Sequence, residues 1–537
     1  MLLMGADRRP NVLLVCVDDL KPNIGAYGDT LARTPNIDRL AAQSMLFERA
    51  YCNQAVCSPS RNALLTSLRP QTLGIYDLGT NFRKSRPNAV TFPQYFMNHG
   101  YRTEGMGKIF HVGHGNNEDS ASWSVPHFKA KSIGYALKEN QAPTREGALF
   151  ENQNPANLPK GAAYESADVP DNAYGDGAIA DEAIKRLNDA KTRPETPFFL
   201  AVGFVKPHLP FCAPKKYWDM HDRSKFELAK LANPPAGAPA YAPTNWGELR
   251  NYKNMPEKGP VDPETARTLV HGYYAATSYM DAQLGRVLDA LKQTGLAENT
   301  IVVLWGDHGW HLGDHGMWCK HSNYEQAARI PILIHAPGMK KASRSGAFIE
   351  SVDLYPTVAE LAGLAVPQGL DGKSQAAVVK GESAGTRDHI THVFPRGAGL
   401  MGRSIRTQRY RLVEWKKIGA DANTAEYELY DYQEDPLESR NLATEQPQAV
   451  AGLKAILAKY PEAVPQVKAA PAQPAKAAAN DRTAMFRKRD ANGDGFLARD
   501  EFLANQRDPG EAPKRFVKFD VNNDGKLSEK EFVNQGK

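Results

Sequence analysis

Asn11-Val12-Leu13-Leu14-Val15-Cys16-Val17-Asp18-Asp19 is a Val- and Leu-rich run preceded by Pro10 and closed by two carboxylates. A short, continuous apolar run without alternation predicts a strand buried on both faces of a parallel sheet. The same design returns at residues 197–203, 300–305 and 330–335. Between these runs lie helical patterns at residues 36–44, 176–190 and 266–294, the last with Leu269, Tyr273, Tyr274, Met280, Leu284 and Leu288 at helical spacing. Strands alternating with helices predict an α/β domain, a mostly parallel sheet sandwiched by helices. Ligands bind such sheets beyond the carboxyl ends of the strands. Asp18-Asp19 and Asp307-His308 are both placed at such ends.

A chain of 537 residues is long for one core, and two or three domains are expected. After about Pro395 the texture changes. Residues 403–415 and 426–432 read as short antiparallel strands, and Asp435-Pro436-Leu437-Glu438 as a turn, so a smaller α+β unit is expected there. Residues 463–480 are almost entirely Ala, Pro, Gln and Lys, a composition that forms no core and reads as a semi-extended linker. Beyond it one pattern occurs twice: Asp490, Asn492, Asp494, Gly495 and Glu501, then Asp520, Asn522, Asp524, Gly525 and Glu531. Oxygen ligands at loop positions 1, 3, 5 and 12, with Gly at 6, are what an EF-hand calcium loop requires. Phe496 and Lys526 would add backbone carbonyls, and Leu497 and Leu527 hold the apolar position that joins paired loops. The expected layout is a catalytic domain over 8–390, an α+β subdomain over 391–462, a linker over 463–480 and an all-α EF-hand pair over 481–537.

The formal charge is only +5, and no basic stripe with interleaved aromatics occurs, which excludes nucleic acid as a partner. No run approaches 18 apolar residues, so no transmembrane segment is expected. Residues 1–10 lack the apolar core of a signal peptide. The calcium loops nevertheless favour a calcium-rich, extracytoplasmic setting, and a periplasmic or secreted location is expected. Five cysteines at irregular spacing do not form a disulfide framework.

Cys57-Ser58-Pro59-Ser60-Arg61 joins a potential nucleophile, a proline that fixes the local backbone and, one turn away, a permanently charged anion binder. The Asp18-Asp19 and Asp307-His308 pairs could converge on one ion, since adjacent carboxylates supply hard oxygen ligands for Ca²⁺ or Mg²⁺. Lys108 with His111, Lys206 with His208, and Lys320 with His321 are grouped beside Pro and Gly. That grouping suggests a pocket for a doubly charged oxyanion, which needs cations for the oxygens, an acid for the leaving alcohol and a nucleophile in line.

These segments, in this order, resemble the formylglycine-dependent (type I) sulfatases of the alkaline-phosphatase-like superfamily, and within them the iduronate-2-sulfatase branch. The carrying residues are Asp18-Asp19-Leu20, Thr34-Pro35-Asn36-Ile37-Asp38, Gln54 to Arg61, Gly107-Lys108-Ile109-Phe110-His111, Lys206-Pro207-His208-Leu209-Pro210-Phe211, Ser278-Tyr279-Met280-Asp281, Gly306-Asp307-His308-Gly309-Trp310 and Glu428-Leu429-Tyr430-Asp431. They run from about residue 11 to about 445; the calcium-loop tail lies outside the resemblance. The resemblance implies that Cys57 is the precursor of formylglycine, made by a separate maturing enzyme. It implies that Asp18, Asp19, Asp307, His308 and modified Cys57 hold one Ca²⁺, that Arg61 orients the aldehyde hydrate, and that Lys108, His111, His208 and Lys320 line the sulfate pocket. Lys320 or His208 would protonate the leaving alcohol and His111 would act as base. The implied substrate is a sulfated saccharide, first a uronic acid 2-O-sulfate of a glycosaminoglycan during its degradation, with algal polysaccharide sulfate also open. Residues 120–168 are expected to form the rim of the site. A phosphate or phosphonate monoester hydrolase and a non-catalytic, calcium-dependent glycan-binding protein are the alternatives.

Overall fold

The computed structural model describes residues 9–130, 134–339, 342–467, 485–486, 489–490, 492, 494–504 and 510–534. Its first nine strands, in chain order, are β1 (Asn11–Val17), β2 (Met45–Tyr51), β3 (Arg102–Gly107), β4 (Tyr164–Ala167), β5 (Phe198–Phe204), β6 (Phe211–Pro214), β7 (Thr300–Gly306), β8 (Ile332–His335) and β9 (Ser343–Glu350). Seven of them form one sheet in the order β3-β5-β1-β7-β8-β2-β9, while β4 and β6 pair separately. Every residue of β1 is buried. Val12, Leu14 and Cys16 enter the core on one face, and Leu13, Val15 and Val17 that on the other. Each wholly buried Val or Leu stabilises the fold by about 1.5–3 kcal/mol, so the opening run anchors both layers. The helices Gly175–Lys191 and Pro263–Gln293 cover the second face with Ile179, Leu187, Met280, Leu284 and Val287.

β3, β5, β1 and β7 run parallel. The run at 330–335, read as a strand of the same parallel design, is antiparallel to its neighbours β7 and β2. The reason is the connection. After β7 the chain stays at the carboxyl end of the sheet through the loop containing Asp307 and the short helix Glu325–Ala328, and it returns without crossing to the other end.

The smaller sheet is four-stranded and antiparallel, with β10 (His389–Pro395), β11 (Leu400–Thr407), β12 (Tyr410–Lys417) and β13 (Glu426–Asp431) in sequential order. It begins at His389, and the stretch 403–415 is a hairpin turning at Gln408-Arg409 rather than one strand. Helix Pro447–Leu457 packs Val450, Leu453 and Leu457 on Ile405, Leu412 and Leu429. Residues 463–467, assigned by composition to the linker, belong to this unit. The Tyr76 N–H donates to Gln466 Oε1 at 2.7 Å, its hydroxyl to Val464 O at 2.9 Å, and Val467 N–H to Gly74 O at 2.7 Å. The expected domain starts at residues 8 and 481 and the linker over 468–480 lie outside the described residues.

The chain divides into two units, residues 1–468 and 469–537. In the second, β14 (Phe496–Ala498) pairs antiparallel with β15 (Lys526–Ser528), with Leu497 opposite Leu527, over a core of Phe486, Phe502, Phe516, Phe519 and Phe532. Asp490 caps its loop by accepting from Asp494 N–H at 3.1 Å and Gly495 N–H at 2.9 Å, and Asp520 does the same for Asp524 and Gly525. Gly495 (φ 83°) and Gly525 (φ 82°) take the left-handed turn that this loop demands. Asn492 and Asn522 donate to Asp494 and Asp524, and Glu501 and Glu531 reach back to loop amides.

Candidate active site

β1 and β7 are adjacent parallel strands, so their ends lie side by side: Asp307 N–H donates to Val17 O at 3.1 Å, and Asp18 N–H to Phe204 O at 3.2 Å. Asp19 adopts a left-handed conformation, φ 58°, which a short polar side chain tolerates better than most. Its N–H donates to Asp307 Oδ1 at 2.9 Å, as does that of His308.

Cys57 opens the ten-residue helix Cys57–Thr66, every residue of which is buried. Pro59 falls in the first turn, where its missing N–H costs nothing, and the free amides of that turn favour negative charge beside Cys57. Arg61, one turn on, is fully buried. Its Nε donates to Asp307 Oδ2 and its Nη2 to Asp18 Oδ1, both at 3.0 Å, and its Nη1 donates to the carbonyls of Lys108 and Ile109. Arg61 thus ties the helix to both strand ends. Lys108 follows β3 where it meets β5. A Cβ on Gly203 would lie 2.3 Å from Lys108 O, so the close approach of those strand ends requires glycine. The Lys108 ammonium pairs with Asp18 and lies 3.7 Å from Cys57 Sγ.

Ligand atoms of Asp18, Asp19, Cys57 and His308 all lie within 4.8 Å of one another. His308 Nδ1 sits 3.0 Å from Gly309 O, which only accepts, so this nitrogen bears the proton. Nε2 is left as a lone pair 3.3 Å from Cys57 Sγ and 3.4 Å from Asp19 Oδ1. Burial and nearby Lys320 hold its pKa well below the usual histidine range. Burial, with Asp18, Glu248 and Asp307 adding repulsion, pushes Asp19 well up despite Lys320, and burial with Asp18 lifts Asp307 to about 7. Three crowded carboxylates and a neutral imidazole lone pair are a donor set that a hard divalent cation would relieve. Asp307 stands beside the four-residue group, its Oδ1 accepting from the Asp19 and His308 N–H groups and its Oδ2 from Arg61.

A second group, Asp19, His208 and Glu248, also converges, but an ammonium occupies its centre. Lys320 Nζ lies 3.3 Å from both Asp19 oxygens, 2.7 Å from Glu248 Oε1 and 3.4 Å from His208 Nε2. Burial opposes its charge, yet Asp19 and Glu248 hold the Lys320 pKa well above the ordinary lysine value. His208 donates Nδ1–H to Leu209 O at 2.5 Å, and burial with the charges of Lys320 and Lys108 lowers its pKa to about 3. It is a neutral acceptor facing a charged donor. Burial likewise drives His111 well down, with Lys108 and His114 adding to it. His111 Nε2 contacts His114 Nδ1 at 3.2 Å, and its Nδ1 has no partner among the described residues. Burial, then Asp18, raises the Cys57 thiol well above its usual range, so the unmodified residue is a neutral thiol and a poor nucleophile.

A cavity of about 220 Å³ opens over these groups, lined by Cys57, His111, His114, His208, Lys320 and His321 together with Leu78, Glu146, Leu149, Phe150, Glu248 and Asn251. Of the expected site residues of the larger unit, Cys57, His111, His208 and Lys320 line this cavity; Asp18, Asp19 and His308 gather with Cys57, Lys108 lies 3.7 Å from its Sγ, and Arg61 and Asp307 are bonded to this group. Sequence reasoning missed Glu248, His114 and Asn251. Glu248 lies in the short helix Gly247–Arg250 and Asn251 caps it, within a proline-rich stretch without strand-end or motif signal. His114 stood three residues beyond His111 between two glycines, a signal that could have been used. Glu146 and Phe150 fall inside the expected rim, 120–168. The EF-hand positions form their own loops in the second unit.

A model of the family described as Sulfatase matches residues 10–364. One described as N-sulphoglucosamine sulphohydrolase, C-terminal, matches residues 313–462, and one described as EF hand matches 514–534. The chain is 34% identical over 509 residues to iduronate 2-sulfatase of Mus musculus, covering 80% of this chain and 90% of that protein. The fold resembles a phosphonate monoester hydrolase of Agrobacterium radiobacter, with TM-score 0.68 and 22% identity over 84% of this chain and 95% of the other. It also resembles a structure described as a 2-O GAG sulfatase, with TM-score 0.64 and 22% identity over 84% and 92%.

Proposed function

Because the chain belongs to the sulfatase family and is a sulfuric ester hydrolase, we propose that its substrate is a sulfated saccharide, first a uronic acid 2-O-sulfate of a glycosaminoglycan or related polysaccharide. One observation carries this reading: Cys57, His111, His208 and Lys320 line one cavity of about 220 Å³, and the Asp18/Asp19/His308 group and the Lys108 ammonium stand against Cys57 at its floor. The 34% identity to iduronate 2-sulfatase names the first sugar to try.

The family implies a metal and a formylglycine at position 57, and the donor set described above suits Ca²⁺. When present, the cation held by Asp18, Asp19, Asp307, His308 and residue 57 supplies Lewis acidity, and formylglycine supplies a hydrated aldehyde as oxygen nucleophile. The chain's own groups do the rest. The ammonium groups of Lys108 and Lys320 bind sulfate oxygens, and the amides at the start of the Cys57 helix add partial positive charge. Lys320, kept cationic by Asp19 and Glu248, donates a proton to the leaving alcohol, with neutral His208 orienting it through Nε2. His111 accepts a proton at its unpartnered Nδ1. Arg61 fixes residue 57 relative to both strand ends. Leu149 and Phe150 close the cavity and exclude water. Maturation of Cys57 requires a separate enzyme. The two calcium loops bind up to two further Ca²⁺ and suit a periplasmic or secreted protein.

A panel of defined sulfated saccharides, with mass spectrometry for the aldehyde at position 57, tests the reading. Fastest release from a terminal 2-O-sulfated uronic acid is the expected result; release only from other positions would overturn the substrate. A second reading, phosphate or phosphonate monoester hydrolysis, is favoured by the cations of the cavity, which do not by themselves separate sulfate from phosphate. Paired aryl sulfate and aryl phosphate decide between them.

A further inference from the structure

Away from the candidate active site, four guanidinium groups converge on one cleft. It has a volume of about 290 Å³ and is lined by Tyr27, Glu48, Arg49, Tyr51, Glu325, Arg329, Arg344 and Arg406. Arg49 lies on β2 and Arg344 on β9, which pair side by side at one margin of the large sheet. Arg406 comes from the smaller sheet and Arg329 from the end of helix Glu325–Ala328.

The charges do not cancel. Glu325 is taken up on its inner side: Oε1 accepts from the Tyr51 hydroxyl at 2.8 Å, and Oε2 from Arg411 at 2.5 Å and Arg406 at 3.3 Å. Arg344 pairs with Glu48 at 3.1 Å, but both side chains are about half exposed, and water discounts such a pair. Arg49 and Arg329 form no ion pair among the described residues. Arg49 donates to Gly346 O at 3.0 Å and lies 5.5 Å over the Phe348 ring. Arg329 donates twice to Glu48 O, at 3.1 and 2.8 Å. A guanidinium held by a backbone carbonyl is fixed in place yet keeps its full charge and most of its five donors. Two such groups beside two partly neutralised ones make a preformed fork receptor for planar or tetrahedral oxyanions.

We propose that the Arg49/Arg329/Arg344/Arg406 cleft is a second anion site, which holds a sulfate or carboxylate group of the polyanionic saccharide at a distance from the bond being hydrolysed. This rests on the reading of the substrate as a sulfated saccharide. Its consequence is selective: a long chain gains an additional contact, whereas a small aryl sulfate gains none.

The test uses the full, matured chain and the double variant Arg49→Gln/Arg344→Gln, both positions lying outside the catalytic groups. A charge-matched control, Arg39→Gln/Arg223→Gln, removes two exposed arginines from surface pairs with Asp289 and Glu264. Turnover of an aryl sulfate should be unchanged in all three proteins, which establishes that the hydrolytic site is intact and tests the sulfatase reading separately. Affinity for heparin, measured across a series of NaCl concentrations, should fall about tenfold in the cleft variant at low salt, with a shallower salt dependence, and about twofold or less in the control. Inorganic sulfate should weaken heparin binding of the parent more than that of the cleft variant. Equal loss in both variants, or no loss in the cleft variant, would overturn the proposal, since the arginines would then act only as diffuse charge or as structural tethers.

Discussion

Two carboxylate clusters in this chain are built in opposite ways. Asp18, Asp19 and Asp307 are completely buried, and the bond from Asp19 N–H to Asp307 spans 288 residues. In the calcium loops, Asp490 and Asp494 are four residues apart, and their loop amides and side chains are largely exposed. Buried acids must be neutralised by fixed partners, and the fold supplies Arg61, Lys108 and Lys320 at distances set by separate strands and loops. Most of the loop acids reach solvent, Asp520 being the buried exception, and their geometry needs only one glycine turn and twelve residues. The first cluster couples fold, charge and chemistry. The second is portable.

The sharpest way to break that contrast is Cys57→Ala. The protein should fold, with unchanged far-ultraviolet circular dichroism, and lose aryl sulfate turnover by about 10⁴-fold or more, as when the nucleophile of a cooperating catalytic set is removed. Retained turnover would mean that the buried cluster is not where catalysis happens. Lys320→Ala comes next. The loss in kcat should be about 10²–10⁴-fold, and it should depend on the leaving group. A nitrophenolate leaves without a proton, so aryl sulfates should lose least and sugar sulfates most. Equal loss on both would assign Lys320 to charge stabilisation alone.

Burial also predicts a pH response in the catalytic unit. His127 and His221 both have pKa values lowered to about 4, chiefly by burial. In the unfolded chain they titrate near 6.5, so between about pH 6.5 and 4 the unfolded state binds more protons. Stability is then full above pH 6.5 and is lost as pH falls toward 4. The melting temperature should drop by several degrees between pH 7 and 4.5, and His127→Gln should flatten that slope. A pH-independent melting temperature would contradict the buried, neutral state of these rings.

What could be read from sequence follows the same divide. The strand-end acids were legible because Asn11–Val17 and Thr300–Gly306 are continuous apolar runs that stop at the acids, and the loops were legible because spacing alone defines them. The direction of β8 was not, because an apolar run carries no sign of which way its neighbours run. Glu248, the counter-ion of Lys320, was not legible either: its position depends on a four-residue helix, too short to show a periodic pattern, folding over the cavity. Composition misassigned 463–467, where Gln466 and Val464 supply acceptors to Tyr76 in a stretch whose average character is that of a linker. Local patterns are read easily; partners supplied by distant segments require the fold.

The smallest expected effect tests the portability of the second cluster. Glu501→Gln/Glu531→Gln removes the carboxylate at position 12 of both loops, which should weaken calcium binding by the tail while aryl sulfate turnover stays within about twofold of the parent. Deleting residues 469–537 should give the same turnover, because that stretch is a separate unit. Deleting 464–537 should differ in stability and not in chemistry. It strips Tyr76 of two acceptors, each worth about 1 kcal/mol, and should lower the melting temperature by about 1–3 °C at unchanged kcat. If the shorter deletion already destabilises the catalytic unit, the tail is not a separate module and the two clusters are not independent.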